Sequence, residues 1–256
     1  MLTAITRSPG TQLAQCELTH LVRQPIDADR AIAQHRAYQA ALRDEGLRVV
    51  ELPADSALPD GVFVEDTAVV LDEVAVLTSP TPPSRRGERA VIEAELTAFR
   101  SLQRLPADAF LEGGDVLRVG RTLFVGQSSR TGEAGLRALE ENVRPFGYSV
   151  VPVRVTGCLH LKSAVTYIGL ETVLVNPAWV DVDAFSRWQC VPVAKEEPYG
   201  ANALLVAGLV HLAESAPITR RKLDALGFST AAIDTSEFEK AEAALTCLSL
   251  VFDDRS

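Results

Sequence analysis

A cysteine used as a nucleophile needs a partner that manages protons and an environment that favours its thiolate. Cys247, inside the apolar stretch "KAEAALTCLSLVF" near the end of the chain, raises that possibility where a buried strand would otherwise be read. Of the four histidines, His160 in "GCLHLKSA" is the natural partner. His35 falls in a helical stripe, His20 follows a loop and His211 sits in the second strand of a hairpin, so each has a ready structural role. Carboxylates come next: Glu65 and Asp66 in "VFVED", and Glu112 and Asp115 flanking Gly113 and Gly114 in "LEGGDV", glycines that would let the backbone approach a ligand closely. Carboxylates near a thiol oppose its ionisation, which suits attack on a neutral amide badly. They suit a cationic electrophile, and a guanidinium matches them, because its planar N–H groups bond carboxylate oxygens in pairs and its charge favours the thiolate. Arg85 and Arg86 in "SRRGE" and Arg130 in "SSRTG" would then hold the carboxylate end of an amino acid. A zinc site of Cys158, His160 and Cys247 is the competing reading; Cys158 and His160, two apart on an expected strand, share a face, but no fourth ligand is evident.

For residues so distant in sequence to meet, the elements between them must be arranged around a common point. Hairpin signals occur at "FVEDTAVVLDEVAVLTS", "GGDVLRVGRTLFVG", "HLKSAVTYIGLETVLVN" and "ANALLVAGLVHLAES", and "TCLSLVF" begins like a fifth. Each starts beside a polar or reactive residue. Asp66, Glu112, His160, Asn202 and Cys247 are separated by 46, 48, 42 and 45 residues. A near-constant period predicts repeated units around an axis, with the five marker residues brought together. Four helices are expected between them. The clearest is in "DADRAIAQHRAYQAALRDEG", where Ala31, His35, Tyr38 and Leu42 share a face and Gly46 ends it; the others carry Ile92, Leu96 and Phe99, then "EAGLRALEENVRPF", then "ITRRKLDALG".

Composition excludes several classes. The chain has 256 residues, 47% of them hydrophobic, enough for one sizeable core. A formal charge of −9 without a Lys/Arg cluster argues against nucleic acid. No apolar run approaches the ~18 residues that cross a bilayer, and the start lacks a secretory segment, so the expected location is cytoplasmic, with no membrane partner. The four scattered cysteines, Cys16, Cys158, Cys190 and Cys247, are expected to be reduced.

Together these residues resemble the dimethylarginine dimethylaminohydrolase family within the guanidino-modifying pentein superfamily. The resemblance runs through "PDGVFVEDTAVV", "SRRGE", "EGGDV", "FVGQSSRTG", "LHLKSA", "ANALLV" and "EFEKAEAALTCLSL", in order over nearly the whole chain. It implies an α/β pentein fold, a propeller of five ββαβ-type modules around a central channel, as a single catalytic domain spanning residues 1–256. It further implies Cys247 as nucleophile, His160 as general acid/base, Glu112 orienting His160 and the guanidinium, and Asp66 as second guanidinium carboxylate. Arg85 and Arg130 would clamp the substrate carboxylate, Asp60 and the backbone around Leu18 and Ala241 would lie near the α-amino end, and Glu65 and Arg86 would support. No metal or organic cofactor is implied; the expected partners are a small cationic guanidino amino acid and, as a homodimer, a second copy of the chain. The chain departs from the family pattern at Gly61, Gly132, Ala243, Ala244 and "PTPPS", none expected to touch a catalytic atom. Arginine deimination, and a catalytically silent guanidino-binding pentein, are the alternatives.

Overall fold

Short strands rich in Val, Leu and Ala pair locally, and each pair is extended by a third strand that returns alongside, usually after a helix. The structure, a computed structural model, describes residues 1–254. The first two strands are β1 (Leu2–Arg7) and β2 (Arg48–Leu52). Then come four complete modules: β3 (Ala68–Val70), β4 (Val74–Leu77) and β5 (Ser101–Arg104); β6 (Val116–Val119), β7 (Thr122–Gln127) and β8 (Ser149–Arg154); β9 (Val165–Tyr167), β10 (Thr172–Val175) and β11 (Gln189–Pro192); β12 (Leu204–Val206), β13 (Leu209–Ala213) and β14 (Ser229–Ile233). In each, the first two strands are antiparallel and the third lies parallel to the second. The fifth module is made from both ends of the chain. β15 (Leu250–Asp253) pairs antiparallel with β1, Ile5 opposite Leu250, and β1 pairs parallel with β2. The sequence period is therefore a structural period, and the "TCLSLVF" half-hairpin is completed by the N-terminus.

The four expected helices form at Ala28–Asp44, Arg89–Leu96, Glu133–Val143 and Pro217–Ala225. Phe99 falls beyond the second. The third module carries only the short turn Val182–Phe185 in place of a long helix, which accounts for its 42-residue interval, the shortest of the four. Hairpin chemistry is clearest between β12 and β13, where Ala207 and Gly208 both have positive φ (49° and 90°), the two-residue turn whose twist matches the strands it joins. Residues from the first strand of every module, β3, β6, β9, β12 and β15, line one cavity of about 330 Å³. Five first strands facing one space make the arrangement a ring with a central channel. No helix among the described residues is long and apolar enough to cross a membrane.

The longest helix starts at Asp27, whose side chain accepts from the Arg30 amide, and buries Ala31, Tyr38 and Leu42 in the same apolar cluster as Cys247. His35 is buried there too, and burial lowers its pKa from 6.5 to about 4. Above pH 6.5 the imidazole is neutral in both folded and unfolded chains. As the pH falls from 6.5 towards 4 only the unfolded chain takes up the proton, so stability drops, by about 3 kcal/mol at ~1.4 kcal/mol per unit. Thermal melts between pH 7 and pH 4 are expected to show a loss that His35→Leu reduces; identical pH dependence in the two proteins would refute it.

Candidate active site

The five marker residues sit where the backbone leaves extended pairing, just before the inner strand of each module. Asp66 lies in the turn Val64–Thr67, Glu112 and His160 immediately precede the turn Gly113–Asp115 and the short helix Leu161–Ala164, and Asn202 follows Pro198–Ala201. Cys247 lies in the turn Leu245–Leu248. This corrects the reading of Cys247 as part of a strand, and of Cys158 and His160 as two residues on one face of a strand. Pleat alternation does not govern which side chains meet here; the turn before each strand does.

What converges is a buried acid–base cluster. His160 Nε2 lies 2.8 Å from Glu112 Oε2 and 3.9 Å from Asp66 Oδ1. The amide of Gly114 donates to Asp66 Oδ1 at 2.9 Å. A Cβ on Gly114 would lie 2.7 Å from both Asp66 Oδ1 and His160 Nδ1, and one on Gly113 would lie 2.0 Å from the Glu65 carbonyl oxygen. The glycine pair thus allows three modules to approach one another, not the backbone to approach a ligand as the sequence suggested. Asp66, His160 and Cys247 line a cavity of about 10 Å³, with Asp60, Arg85, Arg130 and Ala241. That is room for roughly one water molecule. Asn202, the fourth marker, braces the nucleophile's turn: its side chain accepts from the Thr246 amide at 3.1 Å and donates to Thr246 Oγ1 at 3.0 Å and to the Lys162 carbonyl at 3.0 Å.

The charges set one another's protonation. Burial disfavours the Asp66 carboxylate, but His160 and Arg85 more than offset it and hold its pKa down at about 2. Glu112 is lowered in the same way, burial being outweighed by its hydrogen bond to His160 and by the Arg85 charge. Burial would strip His160 of its proton, yet Asp66 and Glu112 raise its pKa to about 9. Cys247 is pushed well above the ordinary thiol range by burial first, then by the charges of Glu65 and Asp66. Near neutral pH the cluster is therefore a thiol beside an imidazolium. A cation placed against Asp66 and Glu112 would favour the thiolate and would no longer leave those carboxylates free to hold the imidazole proton.

The remaining expected residues divide. Asp60 lines the cavity and accepts from the Glu17 amide with both oxygens, at 3.1 and 3.2 Å; burial raises its pKa to about 6. Arg130 Nη1 lies 3.4 Å from Glu112 Oε1, and its Nη2 donates to Thr19 Oγ1 at 3.1 Å. Ala241 is buried against the cavity, whereas Leu18 is half-buried and lies outside its lining. Glu65 faces the larger channel cavity, paired with Lys162 at 2.6 Å and accepting from Thr246 Oγ1 at 2.9 Å. Arg86 is exposed and lines no part of the site, a correction to its expected supporting role. That position is held by Glu88, which accepts from Arg85 Nε at 3.0 Å and Nη2 at 2.8 Å. The "PTPPS" loop also proves closer than expected, since the Thr81 amide donates to Glu112 Oε1 at 3.3 Å. Cys158 turns its thiol to the His160 carbonyl at 3.4 Å. Among the described residues the potential metal-ligand group is Asp66, Glu112 and His160, which neither cysteine joins.

Sequence reasoning passed over Glu88, Lys162 and Glu242, and left Asp115 without a role. Glu88 and Lys162 lie inside "SRRGE" and "LHLKSA", and asking what neutralises a buried Arg85 or Glu65 would have found them. Asp115 accepts from the Leu161 amide at 2.8 Å, fixing the backbone just after His160. Glu242, with φ +57°, accepts from the amides of Thr19 at 2.9 Å, His20 at 2.5 Å and Leu21, tying the Leu18 segment to the edge of the site. No local signal marks it.

Known proteins resemble this chain over most or nearly all of its length. The family model for eukaryotic N,N dimethylarginine dimethylhydrolase matches residues 18–185. The N(G),N(G)-dimethylarginine dimethylaminohydrolase of Streptomyces coelicolor is 40% identical over 251 residues, 96% of this chain and 95% of that one. The enzyme of that name from Pseudomonas aeruginosa, solved as a cysteine-to-serine variant complexed with citrulline, superposes with a TM-score of 0.93 at 31% identity, covering 98% of this chain and 100% of the other. A solved dimethylarginine dimethylaminohydrolase adduct of a histidine-to-glycine variant with S-methyl-L-thiocitrulline has a TM-score of 0.93 at 32% identity and the same coverage.

Proposed function

This chain belongs to the dimethylarginine dimethylaminohydrolase family, and from that premise we propose that its single catalytic domain hydrolyses N-ω-methylated arginine to citrulline and a methylated amine through a thiouronium on Cys247. The observation that carries the reading is one small buried cavity lined by Cys247, His160 and Asp66, with Glu112 bonded to His160 at 2.8 Å.

The guanidinium of the substrate sits against Asp66 and Glu112. Its charge lowers the Cys247 pKa, the thiol proton leaves to solvent, and the thiolate adds to the guanidinium carbon. The His160 imidazolium, already held protonated, donates its proton to the departing amine as the C–N bond breaks, leaving the S-alkylthiouronium. Neutral His160 then takes one proton from water, the oxygen adds to the same carbon, and the C–S bond breaks as the remaining hydroxyl proton passes to solvent, returning thiolate, imidazolium and citrulline. Atoms and charge balance without a further reactant. In this reading Glu112 keeps the imidazole oriented through both half-reactions and stabilises its protonated form before the first and after the second, and Glu65, tied to Lys162 and Thr246, supports the nucleophile's turn.

Citrulline release assayed across arginine, monomethylarginine and the two dimethylarginine isomers tests the activity and separates it from arginine deimination. Release from arginine alone would favour the deiminase alternative; release from none would favour a silent binding protein. Arg130 supplies a separate check. As a clamp on the substrate carboxylate, a group unchanged during reaction, Arg130→Ala is expected to raise KM about ten- to hundredfold with a smaller change in kcat. A loss confined to kcat would remove the clamp role.

A further inference from the structure

The pair of carboxylates proposed to seat the substrate guanidinium already faces a guanidinium of the protein itself. Arg85 is 2% exposed; its Nη1 lies 2.8 Å from Asp66 Oδ2 and 3.5 Å from Glu112 Oε2. The other oxygens of the pair are also engaged: Asp66 Oδ1 by the Gly114 amide, Glu112 Oε1 by the Thr81 amide and Arg130, and Glu112 Oε2 chiefly by His160. The adjoining cavity, about 10 Å³, holds no room for an amino-acid side chain beside Arg85. A second guanidinium reaches these carboxylates only if Arg85 yields its contacts with them.

We propose that Arg85 determines specificity by ion-pair exchange: it occupies the guanidinium seat until the substrate's own carboxylate draws it away. This rests on the reading of Asp66 and Glu112 as that seat. The remaining contacts of Arg85 make the exchange feasible and costly in the right order. Its Nε and Nη2 bond Glu88 at 3.0 and 2.8 Å, so the side chain keeps one anionic partner throughout and only Nη1 must find another. A substrate with a carboxylate supplies that partner inside a buried site, where an unpaired guanidinium N–H is expensive. A guanidine lacking a carboxylate must take the seat while offering Arg85 nothing. The same arginine thus rewards the amino-acid end and penalises its absence, a discrimination larger than one clamp made by a preformed arginine standing apart from the seat. The site also never presents Asp66 and Glu112 to each other without a cation between them, which keeps both ionised before substrate arrives.

The exchange makes a prediction that a plain clamp does not. Methylguanidine, which carries the reacting group and no carboxylate, should bind Arg85→Ala about ten- to hundredfold more tightly than wild type, while KM for dimethylarginine rises in the same variant. Because Arg85→Ala leaves Glu88 buried without its partner, the double variant Arg85→Met/Glu88→Gln is measured beside it, and far-UV circular dichroism and thermal melts establish that each is folded. Calorimetric titration of methylguanidine reads the seat directly, whereas citrulline release from wild type reads the proposed function, so the two can fail separately. Tighter methylguanidine binding in a folded variant supports the exchange. Unchanged or weaker binding in a folded variant, or no methylguanidine binding to wild type and variants alike, overturns it even where citrulline is released.

Discussion

Cys247→Ser is expected to abolish citrulline release, by a factor on the order of 10⁴ or more, while the protein remains folded. The substitution exchanges one buried small side chain for another of similar shape in a turn whose backbone is held by its own bond, the Ala244 carbonyl accepting the residue 247 amide at 3.2 Å, and from outside by Asn202 on Thr246. Its effect on melting should be small. Its effect on chemistry is large because a hydroxyl ionises far above a thiol and the neighbouring imidazole is no help as a base: with a pKa near 9 it is already protonated at neutral pH. Binding should survive, since Asp66, Glu112 and Arg130 are untouched. In wild type, denaturing quench followed by mass spectrometry should show a substrate-derived mass on the peptide containing Cys247. The adduct appearing on Cys158 would reassign the nucleophile, although Cys158 is an unpromising one: burial pushes its pKa up to about 12, and it packs in the apolar cluster with Leu161 and Phe185. Normal turnover in Cys247→Ser would end the covalent mechanism outright.

The ring was legible because its repeat is written in residues that strand propensity and turn chemistry both select. Val, Leu and Ala in short runs with a polar residue before the first strand recur five times, a tight turn follows in four of them, and the helical stripes fall between them. The marker residues were legible for the same reason: one position per module, so periodicity placed Cys247 with His160, Asp66 and Glu112 before any contact was known. What the sequence obscured was local geometry. Alternating apolar residues around Cys247 and His160 look like strand, but the chain turns there, and a pattern of types does not register a backbone that leaves the pleat for a four-residue turn. Charge pairing was obscured more deeply. Arg85 and Arg86 are adjacent and chemically identical, yet one is buried between Glu88 and Asp66 and the other faces solvent. Which of two neighbouring arginines turns inward depends on the one-turn geometry of Pro83–Arg85, which sequence types alone do not fix. The reach of Glu242 to amides some 220 residues away is a tertiary fact with no local trace.

His160→Gly is expected to separate the two halves of the reaction. With dimethylarginine, turnover should fall by about 10²–10⁴, because an amine is a poor leaving group without a proton and the water that resolves the thiouronium has lost its base. S-Methyl-L-thiocitrulline isolates the second half, since a thiolate departs without the proton an amine requires. The variant should therefore form a covalent adduct on Cys247 with this compound and release it slowly, and intact-protein mass spectrometry should show the mass persisting. The pH dependence gives an independent reading. In wild type the productive form carries one proton on the Cys247–His160 pair, on the imidazole, whereas below about pH 9 the unliganded pair carries two. Raising the pH towards 9 removes the inhibitory proton, so kcat/KM should climb over that range; the apparent value belongs to the pair and not to either residue. Removing His160 removes the imidazolium that the carboxylates stabilise. The rate of adduct formation in the variant should then follow thiol ionisation alone and need no acid. If His160→Gly retains near-normal citrulline release, or if wild-type kcat/KM is flat from pH 6 to 9, the imidazole is structural, its 2.8 Å bond to Glu112 merely neutralises a buried carboxylate, and another group must supply the proton to the amine.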